Sequence, residues 1–534
     1  MKTKKIIFLA FFIVISVLIL NACKIYYFRS NYKDVNYLLH ETKNIQTKLF
    51  LKSHLKNGDV CILKDSWQID TINNNIITGF GIRYDFNRKE IFSGAISVPI
   101  DSVAIFETNQ KILNPESGRI SALSILAGVD VIVGIICLTN PKACFGSCPT
   151  FYINEKDNFH YADAEGFSNA ISPSMEYFDI DALNNKILSS NSFSITMKNE
   201  ALETHCVNDV KLLAYPRKNG ERIYQSPYDD FYLCKNNYSV SHAKGAEGNI
   251  TSLLKNYDHM ERFSLSDSTN LSCKEELFLD FDNVDIANAL GLIINFRQTL
   301  MTTYLFYSSM GYMGNNVSDI FSMIETNNEL RNKFNSTTKE LANIEVYMWN
   351  EKKNSWEKQN EFFETGPIAI NKQIIPLKNT NLTSKIKIKI ILNKGLWRID
   401  YVALTNIYEK VKPIELSPSK ILNKGKEDSN ALESIINPEK YLISMPGSEY
   451  KFNFTLPASD TDYELFLYSK GYYLEWMREH WIKNENLFKL HQMVENPKIF
   501  LKAEAKDYKL YEKTMEQEFW NSKIDTKSFS YYEK

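Results

Sequence analysis

Lys385-Ile386-Lys387-Ile388-Lys389-Ile390-Ile391-Leu392 alternates charge and hydrocarbon one residue at a time as far as Ile390. Successive side chains of a strand point to opposite faces, so the run divides into a lysine side and an isoleucine side. An antiparallel sheet with one dry face and one wet face suits that pattern. The flanking stretches repeat it: Glu276-Leu277-Phe278-Leu279-Asp280-Phe281, Ile344-Glu345-Val346-Tyr347-Met348-Trp349 and Trp397-Arg398-Ile399-Asp400-Tyr401-Val402-Ala403-Leu404. They predict a β-sandwich over 264–415. Within it, Ala287–Phe306 is apolar enough for either a helix or a long strand, and 310–341 reads as partly helical.

Towards the N-terminus the period-2 pattern continues. Leu55 to Ile62 turns at Asn57-Gly58-Asp59, and Ile76-Ile77-Thr78-Gly79-Phe80-Gly81-Ile82 follows. Residues 47–115 are expected to form a small β module. Gly79 and Gly81 read as strand glycines and not as a phosphate loop, because no helix follows them. A further β module is expected over 142–263. In Glu203-Thr204-His205-Cys206, alternation puts Glu203 and His205 on one face and Thr204 and Cys206 on the other. The four therefore do not converge, and the segment reads as a strand with an exposed polar side. Beyond a linker rich in Lys, Pro and Ser, 416–534 is expected to hold strands and then amphipathic helices packed on the last sheet.

The first residues give an address. Lys2, Lys4 and Lys5 precede an apolar run from Ile6 to Leu20, and Leu20-Asn21-Ala22-Cys23 closes it. This is a secretory signal over 1–22 with the bacterial lipobox cysteine after the cut, so Cys23 is expected to be acylated, with a polar tether over 23–46. Each buried CH₂ of the acyl chains adds roughly 0.8 kcal/mol to membrane attachment. A second apolar segment, Ile120–Leu138 within 116–141, holds eleven Ile, Leu and Val residues but also Asp130. Insertion gains roughly 3–6 kcal/mol from the former and loses about 3 to the latter. A membrane span and a buried or surface-lying helix both remain open for it.

An exported chain with eight cysteines, one of them the lipid site, leaves an odd number for pairing. Cys206 and Cys234 lie in strand-like runs on either side of a loop and form the candidate disulfide. Cys144-x3-Cys148 lacks the second pair that a zinc site needs. No metal ligands, cofactor site or catalytic residues are assigned.

Cys148-Pro149-Thr150-Phe151-Tyr152, Glu165-Gly166-Phe167-Ser168-Asn169-Ala170-Ile171, Gly366-Pro367-Ile368-Ala369 and Lys470-Gly471-Tyr472-Tyr473-Leu474-Glu475-Trp476 are the other distinctive stretches. With Trp397–Leu404 they resemble a family of exported Bacteroidetes-type lipoproteins over most of the chain. That resemblance implies export and anchoring and assigns no residue a chemical role. At fold level the 264–415 pattern also looks like jelly-roll, galactose-binding-like modules, which by itself implies no ligand.

The expected fold is therefore mainly β: several β-sandwich or barrel-like modules, one inserted apolar helix and a helical C-terminal tail. A formal charge of −2 over 534 residues provides no basic footprint for nucleic acid. No Gly-x-Ser-x-Gly elbow, His-Glu-x-x-His helix or Walker loop occurs. Asp179/Asp181 and Asp229/Asp230 are acid pairs of the kind common at turns. The function expected is that of a non-catalytic envelope lipoprotein, in the outer membrane, which binds a glycan or an envelope protein. Trp349 and Trp356 are its candidate surface aromatics. The alternative is an envelope hydrolase acting on glycan or peptide, which would require an acid pair about 5–9 Å apart in a cleft.

Overall fold

The structure is a computed structural model that describes residues 25–32, most of 51–113 and most of 148–526. Cys23 and the segment Ile120–Leu138, with Asp130, lie outside the described residues. Among the described residues no helix is long and apolar enough to cross a membrane. The protein is mainly β and built from several sheets. It divides into two compact units. One comprises Met1–Cys144, Ser309–Thr326 and Trp476–Leu487, the other Phe145–Ser308, Asn327–Glu475 and Phe488–Lys534.

In the first unit a seven-stranded antiparallel sheet runs in the order 25–32, 103–113, 51–55, 60–63, 76–84, 68–69, with Glu90–Pro99 also paired to Ile76–Tyr84. Its core is Leu51, Leu63, Trp67, Ile77, Val98 and Phe106. The start of the expected tether is thus a strand, Ile25–Tyr32, paired with Val103–Leu113. Gly81 is a strand glycine for a spatial reason. A Cβ there would come within 1.9 Å of the Ile62 carbonyl oxygen.

The second unit contains four assemblies whose strands pair across the expected module boundaries. A five-stranded sheet joins Tyr177–Ala182, Asp462–Glu475, Glu203–Arg217 and Ile414–Leu416, with Leu442–Ser444 also on Glu203–Arg217. A six-stranded sheet pairs Ser192–Lys198 with Glu449–Thr455 and with Thr150–Tyr152. A closed five-stranded barrel is made from Arg222–Gln225, Phe231–Ser239, Trp397–Val411, Ala289–Gln298 and Asn371–Leu377. Another six-stranded sheet holds the Lys/Ile run, Ile386–Asn393, between Lys274–Phe281 and Ile344–Asn350. In that run Ile386, Ile388 and Ile390 are fully buried while Lys385 and Lys387 are exposed.

The apolar stretch 287–306 contains both alternatives in succession: strand Ala289–Gln298, buried on both faces, then helix Met301–Met313. The amphipathic helix Pro497–Tyr511 buries Phe500, Leu501, Glu504, Ala505 and Tyr508. It docks on the loop before Lys274, with Leu271 N donating to Leu501 O at 3.1 Å, and on Tyr304, whose ring lies 5.1 Å from that of Tyr508.

Cys206 and Cys234 are not bonded to each other, which corrects the expected Cys206–Cys234 disulfide. Cys206 sits opposite Tyr472 and Ile443 in the five-stranded sheet, and Cys234 opposite Arg222 and Ile407 in the barrel. The chain between them reverses into strand Arg222–Gln225, which takes Phe231–Ser239 into the barrel instead of back beside Glu203–Arg217.

The dry and wet faces of the Lys/Ile strand make a direct contrast. Ile388→Ala is expected to cost about 2–5 kcal/mol and Lys387→Ala less than about 0.5 kcal/mol, read from urea unfolding midpoints. Equal losses would contradict the assigned faces.

Candidate functional site

Strand Glu203–Arg217 pairs along its length with Asp462–Glu475, but the register slips between Val207 and Asp209. The bulge lies at Asn208, whose Nδ2 donates to the carbonyls of Pro438 (2.9 Å) and Lys440 (3.1 Å). A bulge changes which residues share a face. Glu203 and His205 stand with Tyr473 and Glu475 on one side, whereas Lys211 and Leu213 stand with Tyr468 and Phe466 on the other. On the neighbouring strand, Asp179 and Asp181 share the first side, and Phe178 and Ile180 the second. The sheet thus has an acid-bearing face and an aromatic face.

The aromatic face forms the wall of a cleft of about 510 Å³. Its apolar floor is Ile180, Leu213, Phe231 and Val411, all part of one packed cluster. Tyr468 lines it, and the exposed Phe178 stacks on Tyr468 with centroids 5.4 Å apart and planes at 19°. Lys211 Nζ lies 5.5 Å over the Tyr468 ring and pairs with Asp209 at 3.0 Å and Glu415 at 3.6 Å. Burial, with the Asp209 and Glu415 charges, pushes the Tyr468 phenol up to about 12, so it remains a neutral hydroxyl.

The other wall is the turn Ser226-Pro227-Tyr228-Asp229-Asp230. Ser226 Oγ accepts from Tyr228 N (3.3 Å) and Asp230 N (3.2 Å), a hydroxyl-closed turn of the type serine favours. Asp229 takes φ +60°, a left-handed conformation that Asp tolerates better than most residues. Its carboxylate accepts from Gln225 Nε2 at 2.9 Å, and burial raises its pKa, with the adjacent Asp230 charge adding to the effect. Asp230 accepts from Lys410 Nζ at 2.8 Å. The cleft holds three lysines and three carboxylates, Lys211, Lys410 and Lys412 against Asp229, Asp230 and Glu415, so its field favours neither sign.

The acid-bearing face is closed. Cys148 Sγ donates to Glu165 Oε1 at 3.0 Å, and Glu165 Oε2 accepts from Ile368 N (2.6 Å) and Ala369 N (3.2 Å). The Gly366-Pro367-Ile368-Ala369 and Glu165-Gly166-Phe167 stretches thereby meet. Gly366 has φ +96°, and a Cβ there would lie 2.7 Å from the Glu165 carboxyl. Glu165 N donates to Asp181 Oδ2 at 3.0 Å. Burial drives Glu165 up to about 7 and also raises Asp181, which the Asp179 charge pushes further. Burial and the Glu165 charge raise Cys148, so its thiol stays a protonated donor and not a nucleophile. Glu203 Oε1 meets His205 Nε2 at 2.8 Å, and both side chains are buried. The expected exposed polar side at Glu203 and His205 is therefore a covered one, because this strand is central in its sheet and packed on both faces.

Of the sequence candidates, only Asp229 and Asp230 reach the cleft. Trp349 and Trp356 face each other across a hairpin, edge to face at 5.3 Å, on the wet side of the six-stranded sheet with Phe278 and Lys389. Sequence reasoning missed Phe178, Lys211, Lys410 and Tyr468, which come from four different strands with no shared local motif.

No family model matches the chain, and no curated protein matches it. Among solved structures it is similar to BuGH86, wild type, in complex with neoagarooctaose: 8% identity over 43% of this chain and 34% of that one, with a TM-score of 0.17. A variant of the same protein with the same oligosaccharide gives 8% identity, 43% and 32% coverage and a TM-score of 0.16. The aligned part spans about a third of those chains.

The buried acid sets a pH dependence. Glu165 ionises at about 7 when folded against 4.5 ordinarily, so the stability tied to its proton is complete below about 4.5 and is lost as the pH rises through 7. Glu165→Gln is expected to flatten the fall in urea midpoint between pH 5 and pH 8. Parallel profiles for the two proteins would contradict this assignment.

Proposed function

We propose that this chain is a membrane-anchored, non-catalytic lipoprotein of the cell envelope that binds an uncharged glycan segment in the cleft between Tyr468 and Asp230. The observation that carries the reading is the stacked Phe178–Tyr468 pair beside an apolar floor. The C–H face of a sugar ring packs on such a surface, while its hydroxyls take hydrogen bonds from Lys211 and Lys410 and give them to Asp229 and Asp230. The size is in the range of small-ligand pockets, and the balanced charge suits a neutral partner.

The hydrolase alternative has one observation on its side, the raised Asp229 carboxyl. Glycosidic cleavage uses two carboxyl groups flanking the scissile bond. Asp229 and Asp230 are consecutive residues of one turn, and Asp230 is engaged by Lys410, which suits holding a ligand and not cleaving it. Anchoring rests on the Lys2–Cys23 pattern and the membrane on which Cys23 would be acylated.

Tyr468→Ala and Lys410→Ala are each expected to weaken binding of any glycan found on an array by roughly tenfold, measured by calorimetry. Asp229→Asn should leave an intact oligosaccharide bound and uncut. Turnover by the wild type that Asp229→Asn abolishes would replace binding with hydrolysis. Cys23→Ser is expected to abolish labelling by a palmitate analogue in cells, and label persisting in that variant would remove the anchor.

A further inference from the structure

The interior of the five-stranded barrel is apolar at its middle, where Tyr224, Cys234, Ile293, Ile374 and Ile407 from all five strands pack together. One end is polar. Lys372, Asn295 and Tyr401 stand directly opposite one another on three adjacent strands, which puts their side chains on the same inward face as Ile293 and Ile374. Lys372 Nζ lies 5.2 Å from the centre of the Tyr224 ring, and among the described residues no carboxylate pairs with it. The carboxylate whose charge reaches it, Glu464, is already shared. It binds Arg222 through both oxygens (2.6 and 2.9 Å) and Arg217 at 3.6 Å. Two guanidinium groups therefore share that carboxylate, and Lys372 stands beside them without one of its own. Burial, with the Arg222 charge next, pushes the Lys372 ammonium down to about 8.

Asn295 is 1% exposed, and its Oδ1 has no hydrogen-bond donor. A buried acceptor without a partner is destabilising, and a ligand donor would recover that loss. The rim of this end reaches solvent: the Arg222 side chain is 31% exposed, and Asn237, which donates to the Tyr224 hydroxyl, is exposed.

We propose that this barrel end is a binding site for a small hydroxycarboxylate, its acid group held by Lys372 and its hydroxyl donating to Asn295 Oδ1. The carboxylate supplies the missing anion, the hydroxyl the missing donor, and the Tyr224 ring covers the hydrocarbon between them. The cleft is a separate place: Lys372, Asn295, Tyr401 and Arg222 do not line it.

The test is reductive dimethylation of the full chain at neutral pH, with the rate at Lys372 read by peptide mass spectrometry and exposed Lys387 as internal control. Glucuronate, lactate, acetate and glucose are the probes. Glucuronate or lactate is expected to slow Lys372 modification at least roughly threefold without changing Lys387, while acetate and glucose do little. Protection by lactate as well as glucuronate assigns a free hydroxy acid; protection by glucuronate alone assigns a sugar acid. Equal protection by acetate, or none by any probe, overturns the proposal. In calorimetry, Lys372→Gln should lower glucuronate affinity roughly tenfold or more, and unchanged affinity in a folded variant also overturns it.

Discussion

The bulge at Asn208 is the constraint on which the second unit's two polar faces depend. Without it, strict alternation would put Glu203 and His205 on the same side as Lys211 and Leu213. One extra residue, fixed by two hydrogen bonds from its amide to the 438–440 backbone, sends the buried acids one way and the aromatic cleft the other. The strand on which it sits pairs with Asp462–Glu475, far away in sequence. Closing so long a loop is less costly than it looks, since the entropy grows only with the logarithm of length. The return is a strand with partners on both edges, and a wall against which Tyr177–Ala182 and Phe231–Ser239 can be placed.

The two faces do different work. The closed one is stabilised by satisfying a carboxyl away from water: Cys148, Ile368 and Ala369 all donate to Glu165. Burial disfavours its charged form, and Cys148 is held as a donor and not a thiolate. The open face keeps its charges paired and near the surface, where Lys410 and Asp230, or Lys211 and Asp209, can exchange partners with a ligand at little cost. Concavity, exposed ring surface and exchangeable hydrogen bonds coincide there.

How much of this was legible follows the periodicity. The Lys/Ile run announced its dry and wet faces because it is regular over six residues, 385–390, and one face of its sheet meets solvent. The stretch 287–306 stayed ambiguous because Ala289–Gln298 is buried on both sides and so carries no alternation. The barrel could not be read because its strands are gathered from Arg222 to Val411. Asn208 is one polar residue in an alternating segment, with nothing to mark it as a bulge. The Gly366-Pro367-Ile368-Ala369 stretch stood out, yet its use in cradling Glu165 is visible only once distant segments meet. The cleft was half legible: Asp229-Asp230 was noted as an acid pair, while its lysines and aromatics lie on strands that share no motif.

Hydrogen exchange on the full chain with and without a bound oligosaccharide locates the ligand directly. Slowed exchange in peptides covering 177–182, 209–215, 226–231 and 408–416, with 344–362 unchanged, is the result expected if the ligand lies against Tyr468 and Asp230. Protection confined to the Trp349–Trp356 hairpin, with the cleft peptides unaltered, would contradict it.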